Sequence, residues 1–157
     1  MSAVVSLDKV SKSYKTVKGT EVQALADVSL SVHPEETVAI VGPSGCGKST
    51  LLRLVAGVER PSSGKIERAT AGFVVGYVFQ DSSLMRWRNV YDNIKLPLEV
   101  VKQRDTANVD RLIALMGLKG FEKSYPAELS GGMQRRVSIA RAFVHQPSII
   151  QIGRAHV

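Results

Sequence analysis

An α/β fold built around a phosphate site is predicted by three consecutive features of this chain. Val38-Ala39-Ile40-Val41 is a short apolar, β-branched run of the kind a buried parallel strand needs. Gly42-Pro43-Ser44-Gly45-Cys46-Gly47-Lys48-Ser49 follows it and satisfies the G-x-x-x-x-G-K-[ST] phosphate-loop (Walker A) template at every fixed position. Thr50 to Ala56 is then rich in helix formers, and Gly57 is placed to end that helix. Strand, glycine loop and helix in this order aim backbone N–H groups and a helix N-terminus at a phosphate chain. A nucleoside triphosphate is therefore the expected ligand. Gly42, Ser44, Gly45, Cys46, Gly47, Lys48, Ser49 and Thr50 are the expected contacts, with Lys48 on the β- and γ-phosphates and the Ser49 hydroxyl on Mg2+.

The remaining elements follow in chain order. Residues 4 to 32 read as β-rich, and Val28-Ser29-Leu30-Ser31-Val32 alternates strictly, as a half-buried strand does. His33-Pro34-Glu35-Glu36 is a turn into the phosphate-loop strand, and Pro61-Ser62-Ser63-Gly64 is another turn. Phe73 to Phe79 is a second apolar strand that ends at Gln80. Residues 105 to 116 carry apolar side chains at Val109, Leu112, Ile113 and Met116, which is helical spacing, with Gly117 as the stop. A last helix is expected from about Gly132 to Val144, with Met133, Val137, Ala140 and Val144 on one face.

The 157 residues suffice for one domain with a real core. No apolar run is long enough to span a membrane, and the first residues show no signal-peptide pattern. The single cysteine, Cys46, excludes an internal disulfide and is read as a small filler residue of the loop rather than a redox group. The formal net charge is +7, but the basic residues are scattered and no nucleic-acid motif accompanies them. No nucleic-acid partner is expected.

A second motif, Leu129-Ser130-Gly131-Gly132-Met133-Gln134, lies downstream of the phosphate loop and of the strand ending at Gln80. Together they resemble the nucleotide-binding domain of ABC transporters, over residues 4 to about 150. The resemblance implies a P-loop NTPase of the ABC type, with an antiparallel β-subdomain at the N-terminus and a helical subdomain around residues 90 to 135. It implies that Tyr14 stacks on adenine and that Gln80 contacts Mg2+ and the attacking water. It implies that Ser130, Gly131 and Gly132 meet ATP held by a partner subunit, two ATP molecules being sandwiched in a head-to-tail homodimer. A glycine pair with a serine at a helix N-terminus makes chemical sense as a second anion site. The implied function is the ATPase subunit of an importer at the cytoplasmic face of the membrane. Its partners would be transmembrane permease subunits and, indirectly, a periplasmic or lipoprotein solute-binding protein. A soluble ABC ATPase acting on DNA or ribosomes would carry insertions or duplications absent here, and a simple P-loop kinase would lack the 129–132 motif.

The stretch from Gln80 to Val90 is similar to importers of the nitrate, sulfonate and taurine group, although Arg86 stands where that group has proline. Trp87 is either core packing or an exposed anchor for a membrane partner. Glu35 stands where the family has glycine, so a positive φ there would store strain. Met133 replaces the glutamine of the commonest signature. After Ile150 the family continues into an Asp-Glu pair that completes the hydrolytic site, whereas this chain reads Gln151-Ile152-Gly153-Arg154-Ala155-His156-Val157. The expected organisation is thus one incomplete domain, 1–150, with a non-native tail, 151–157, whose last six residues match a sequencing adapter read in one frame. Such a chain is expected to bind ATP and to lack turnover.

Overall fold

The computed structural model describes residues 2–17, 19–69, 72–79, 81–104 and 106–153. The chain forms two compact units, one running to Phe73 and the other beginning at Val74.

The first unit holds a three-stranded antiparallel sheet in the order β2-β1-β3, made of β1 (Val5–Lys15), β2 (Glu21–Val32) and β3 (Ser63–Arg68). β1 and β2 form a hairpin in which Val5 faces Val32 and Lys15 faces Glu21. The register slips around Lys9 and Asp27, both at positive φ, and Ser11 Oγ ties the irregularity by donating to Asp27 Oδ1 and accepting from Asp27 N. β3 begins inside the stretch read as a turn, at Ser63 and Gly64, and runs on to Arg68. Its pairing with β1 creates it, since Gly64 lies so close to Lys9 that a Cβ would collide with the Lys9 carbonyl. Helix α1 (Lys48–Ala56) buries Leu51, Leu54 and Val55, and Gly57 ends it in the left-handed conformation.

One expectation fails here. Residues 38–41 are not a strand, and Val41 is 81% exposed. A strand exists only through its ladder, and this segment pairs in neither sheet among the described residues. The only parallel pairing among the described residues is β4 (Val75–Val78) with β5 (Ile149–Ile152).

The second unit is mainly helical. Helix α2 (Val90–Val100) starts at Asn89, whose side chain accepts from Asp92 N at 2.8 Å. Helix α3 (Ala107–Leu115) ends just before Gly117, and helix α4 (Gly131–Phe143) starts at Ser130. Each helix buries one stripe: Val90, Ile94 and Leu98; Val109, Leu112 and Ile113; Val137, Ala140 and Val144. Burying each of these side chains contributes roughly 1.5–3 kcal/mol for the larger ones. Gly76 of β4 faces the Ala142 carbonyl so closely that any Cβ would clash, which fixes where α4 ends against the parallel pair. The boundary expected at residue 151 falls inside β5: Gln151 and Ile152 complete that strand, and Gly153 N donates to Val78 O at 3.0 Å. Residues 154–157 lie outside the described residues.

Candidate functional site

The phosphate loop is built by backbone conformation. Gly45 and Gly47 have φ of +80° and +94°, a region that costs a side chain of order 1 kcal/mol or more. Gly47 is doubly constrained, because a Cβ there would meet the Ala24 carbonyl at 2.4 Å. It is the N-cap of α1 and offers no side-chain acceptor, so the N–H groups of the first turn are left for an outside partner. Leu51 N is the first to bond within the helix, to Gly47 O. Lys48 Nζ folds over the loop and donates to Gly42 O and Pro43 O, both at 2.7 Å, with Cys46 Sγ at 3.6 Å. Ser44, Gly45, Cys46 and Ser49 are exposed along the rim, and Thr50 is buried beneath. A cationic side chain, a row of amides and a helix N-terminus thus meet in one loop, which is the chemistry of a polyphosphate cradle.

Tyr14, near the end of β1, belongs to the same unit. Its phenol donates to Glu59 Oε2 at 2.5 Å and lies 3.5 Å from Thr50 Oγ1, which sets the ring beside the first turn of α1. Lys12 Nζ stands 5.2 Å from the ring centroid. Glu59 also pairs with Lys12 at 3.8 Å and Arg53 at 3.4 Å. The Tyr14 hydrogen bond holds the Glu59 carboxyl below the usual range; burial opposes it, and the Lys12 and Arg53 charges add to the lowering.

The Ser-Gly-Gly motif lies in the second unit. Ser130 caps α4 by accepting from Met133 N at 3.2 Å. Gly131 has open space where its side chain would be, and a Cβ on Gly132 would touch only Ser130 Oγ, at 4.0 Å. Neither glycine has positive φ. Gln80 lies outside the described residues, but its neighbours are anchored to α4. Arg135 Nη1 donates to Phe79 O at 2.7 Å, Ser82 Oγ donates to Gln134 Oε1 at 3.1 Å, and Arg141 donates to Ser82 O and Ser83 O. This segment lines a cavity of about 550 Å3 with Arg86, Pro126, Ala127 and Gln134. Trp87 is 74% exposed, which decides for the surface over the core.

Sequence reading missed Glu59, Asn93 and Arg141. Asn93 is fully buried; its amide accepts from Met85 N and donates to the carbonyls of Met85, Arg88 and Asn89, closing the loop that carries Trp87. Arg141 carried a signal, a cation inside an apolar helix, whereas Glu59 and Asn93 carried none.

The fold and the loop define a P-loop nucleotide-binding protein. More narrowly, the chain belongs to the ABC transporter family, whose model matches residues 25–152. It is 41% identical over 138 residues to the aliphatic sulfonates import ATP-binding protein of Bacillus subtilis, covering 85% of this chain and 54% of that protein. It is 40% identical over 168 residues to the methionine import ATP-binding protein of the same species, covering 97% of this chain and 49% of that protein. A solved ATP-binding cassette, a dimer in a post-hydrolysis state bound to ADP and Pi, superposes with TM-score 0.79 at 30% identity, over 94% of this chain and 72% of that one. The chain spans about half the length of the curated relatives it matches. Among the described residues, no helix is long and apolar enough to cross a membrane.

Proposed function

We propose that this chain is the nucleotide-binding part of the ATPase subunit of an ABC importer. The observation that carries the reading is the cradle itself: Gly45 and Gly47 in the left-handed region, an uncapped α1 N-terminus, and Lys48 Nζ poised over the loop. ATP enters by its phosphates; Lys48 exchanges its loop carbonyls for phosphate oxygens, and Tyr14 supports the adenine. Among the described residues no group of three or more His, Cys, Asp or Glu is placed to hold a metal. The donor set fits Mg2+ all the same, because that ion is held mainly by nucleotide phosphates and water, with one hydroxyl such as that of Ser49. Gln80 is the second protein ligand in this reading. Binding of a fluorescent ATP analogue tests it: Lys48→Ala should weaken affinity at least about tenfold, the equivalent of a charge-assisted contact of roughly 1.5–3 kcal/mol, and unchanged affinity would refute it.

The same reading makes the whole subunit a transport-coupled ATPase that closes as a head-to-tail homodimer on the cytoplasmic face of the membrane. The uncrowded glycines at the α4 N-terminus support the dimer, since neither a positive φ nor a close neighbour among the described residues requires them. The cavity lined by Arg86 and the exposed Trp87 next to it in sequence support a permease contact, because aromatics and arginine are favoured at interface centres. The solute is proposed to be nitrate, a sulfonate or a taurine-like compound, on the stretch from Gln80 to Val90. A solute-binding protein acts upstream of the permease.

A further inference from the structure

We propose that Glu59 is a positioning residue for the nucleobase, acting through Tyr14 and Lys12 to present one face of an aromatic ring to a purine. The proposal rests on the nucleotide-binding reading above and extends it to a residue outside the phosphate loop and outside the 129–132 motif.

Three contacts converge on this one carboxylate from two elements, β1 and α1. From β1, the Tyr14 phenol donates at 2.5 Å and Lys12 approaches at 3.8 Å. From α1, Arg53 approaches at 3.4 Å. Glu59 itself is held by its amide, which donates to Arg53 O, just past the end of the helix that begins at the phosphate loop. Lys12 is further fixed by donating to Arg60 O at 2.8 Å.

The geometry has a consequence for the ring. Lys12 and Tyr14 are two residues apart on one strand, so their side chains share a face. The ammonium takes one side of the ring, at 5.2 Å from the centroid. Tyr14 as a residue nevertheless remains 36% exposed, and in this proposal a planar partner takes the side of the ring away from Lys12. A tyrosine near a strand end has two rotatable bonds, and a stacking platform works only if both are fixed before the base arrives. The short bond to Glu59 fixes the far end of the ring. It also pulls the phenol proton toward an anion, which enriches the ring in electrons and strengthens its attraction for the Lys12 cation. A carboxylate on a polyphosphate-binding surface is otherwise unfavourable, and its two cationic neighbours offset its charge.

The test compares two probes, ATP and inorganic tripolyphosphate, by titration calorimetry on the full chain. Glu59→Ala and Tyr14→Ala should each weaken ATP about tenfold, the scale of one base–aromatic stack, and leave tripolyphosphate within about twofold. Tyr14→Phe keeps the ring but loses the bond to Glu59. In that background Glu59→Ala should cost little more, because the two changes break one link. Glu59→Gln, which keeps an acceptor for the phenol, should recover most of the ATP affinity. Equal weakening of both probes by Glu59→Ala would mean that Glu59 merely holds the fold, and no weakening of either would mean that it does nothing for the base; each overturns the proposal. If the parent chain binds neither probe, the nucleotide reading falls and takes this proposal with it. Retained tripolyphosphate binding also reports that each variant is folded.

Discussion

Arg141 on α4 donates to the carbonyl of Ser83 at 2.9 Å, and Ser83 is held at a φ of +46°. Arg141 is only 8% exposed, and its guanidinium reaches Ser82 O as well, at 3.1 Å. Two carbonyls are its hydrogen-bond acceptors, so this buried cation is stabilised by dipoles aimed at it from a strained turn. Burial pushes its pKa down from the usual arginine value. Lysine at 141 would keep the charge but lose the fork that spans both carbonyls. Arg141→Lys should therefore destabilise the second unit by about 1.5–3 kcal/mol. Urea unfolding followed by Trp87 fluorescence checks this, Trp87 being the single tryptophan.

Glu35 has a φ of +63°, the strain anticipated from the glycine it replaces. Its neighbours close the turn without it: Glu36 N donates to His33 O, and Glu36 Oε2 accepts from His33 N. Glu35→Gly should stabilise the chain by about 0.5–1 kcal/mol, and Glu35→Val should destabilise it by a similar amount or more. Thermal midpoints of the two variants, on opposite sides of the parent, would bear this out.

Features set by local chemistry were legible in the residues, and features set by distant pairing were not. The phosphate loop, the Gly57 stop and the buried stripe of α4 follow from neighbours within a few positions. β3 is polar and glycine-containing, and only its antiparallel partner β1 makes it a strand. Pro97 masks α2, whose stripe of Val90, Ile94 and Leu98 holds it helical through tertiary packing. Residues 38–41 err the other way: an apolar run was present and the ladder was not. At the site, Tyr14 and Glu59 are 45 positions apart, and no spacing rule connects them.

Gln151 is 4% exposed in β5, and its amide oxygen and nitrogen have no partner among the described residues. A buried amide left unsatisfied costs about 1–3 kcal/mol. Leucine has similar volume and removes both orphaned atoms. Gln151→Leu should raise the stability of the second unit by about that amount, measured by urea midpoint at unchanged slope. A destabilised variant would mean that the amide has a partner in solution.

His145 follows α4, and its Nδ1 is buried without a hydrogen bond. Burial holds the imidazole below its usual range, opposed by a hydrogen bond that the ring donates to the Val75 backbone. The folded form therefore resists a proton that the unfolded chain accepts near pH 6.5. Above that pH the group contributes no penalty; as pH falls through it, the unfolded state gains protons first and stability drops, until the folded form titrates as well. Unfolding free energy should decline between pH 7 and pH 5, and His145→Gln should flatten that slope.

Gly131 and Gly132 open α4 where alanine would be the better helix former. No positive φ and no close neighbour among the described residues explains them. Two opposite effects are therefore expected of Gly132→Ala. Stability should rise by about 0.5–1 kcal/mol, because alanine loses less backbone entropy and its methyl fits. Nucleotide-driven association should weaken, because a methyl at the helix N-terminus would stand where the partner's phosphate has to approach its N–H groups. Sedimentation velocity with and without ATP measures the second effect, and thermal unfolding the first. A variant that is both more stable and equally able to associate would show that the glycines serve no partner. One that is less stable would show that they serve the fold. Only stability gained with association lost fits a surface shaped for a ligand held by another subunit.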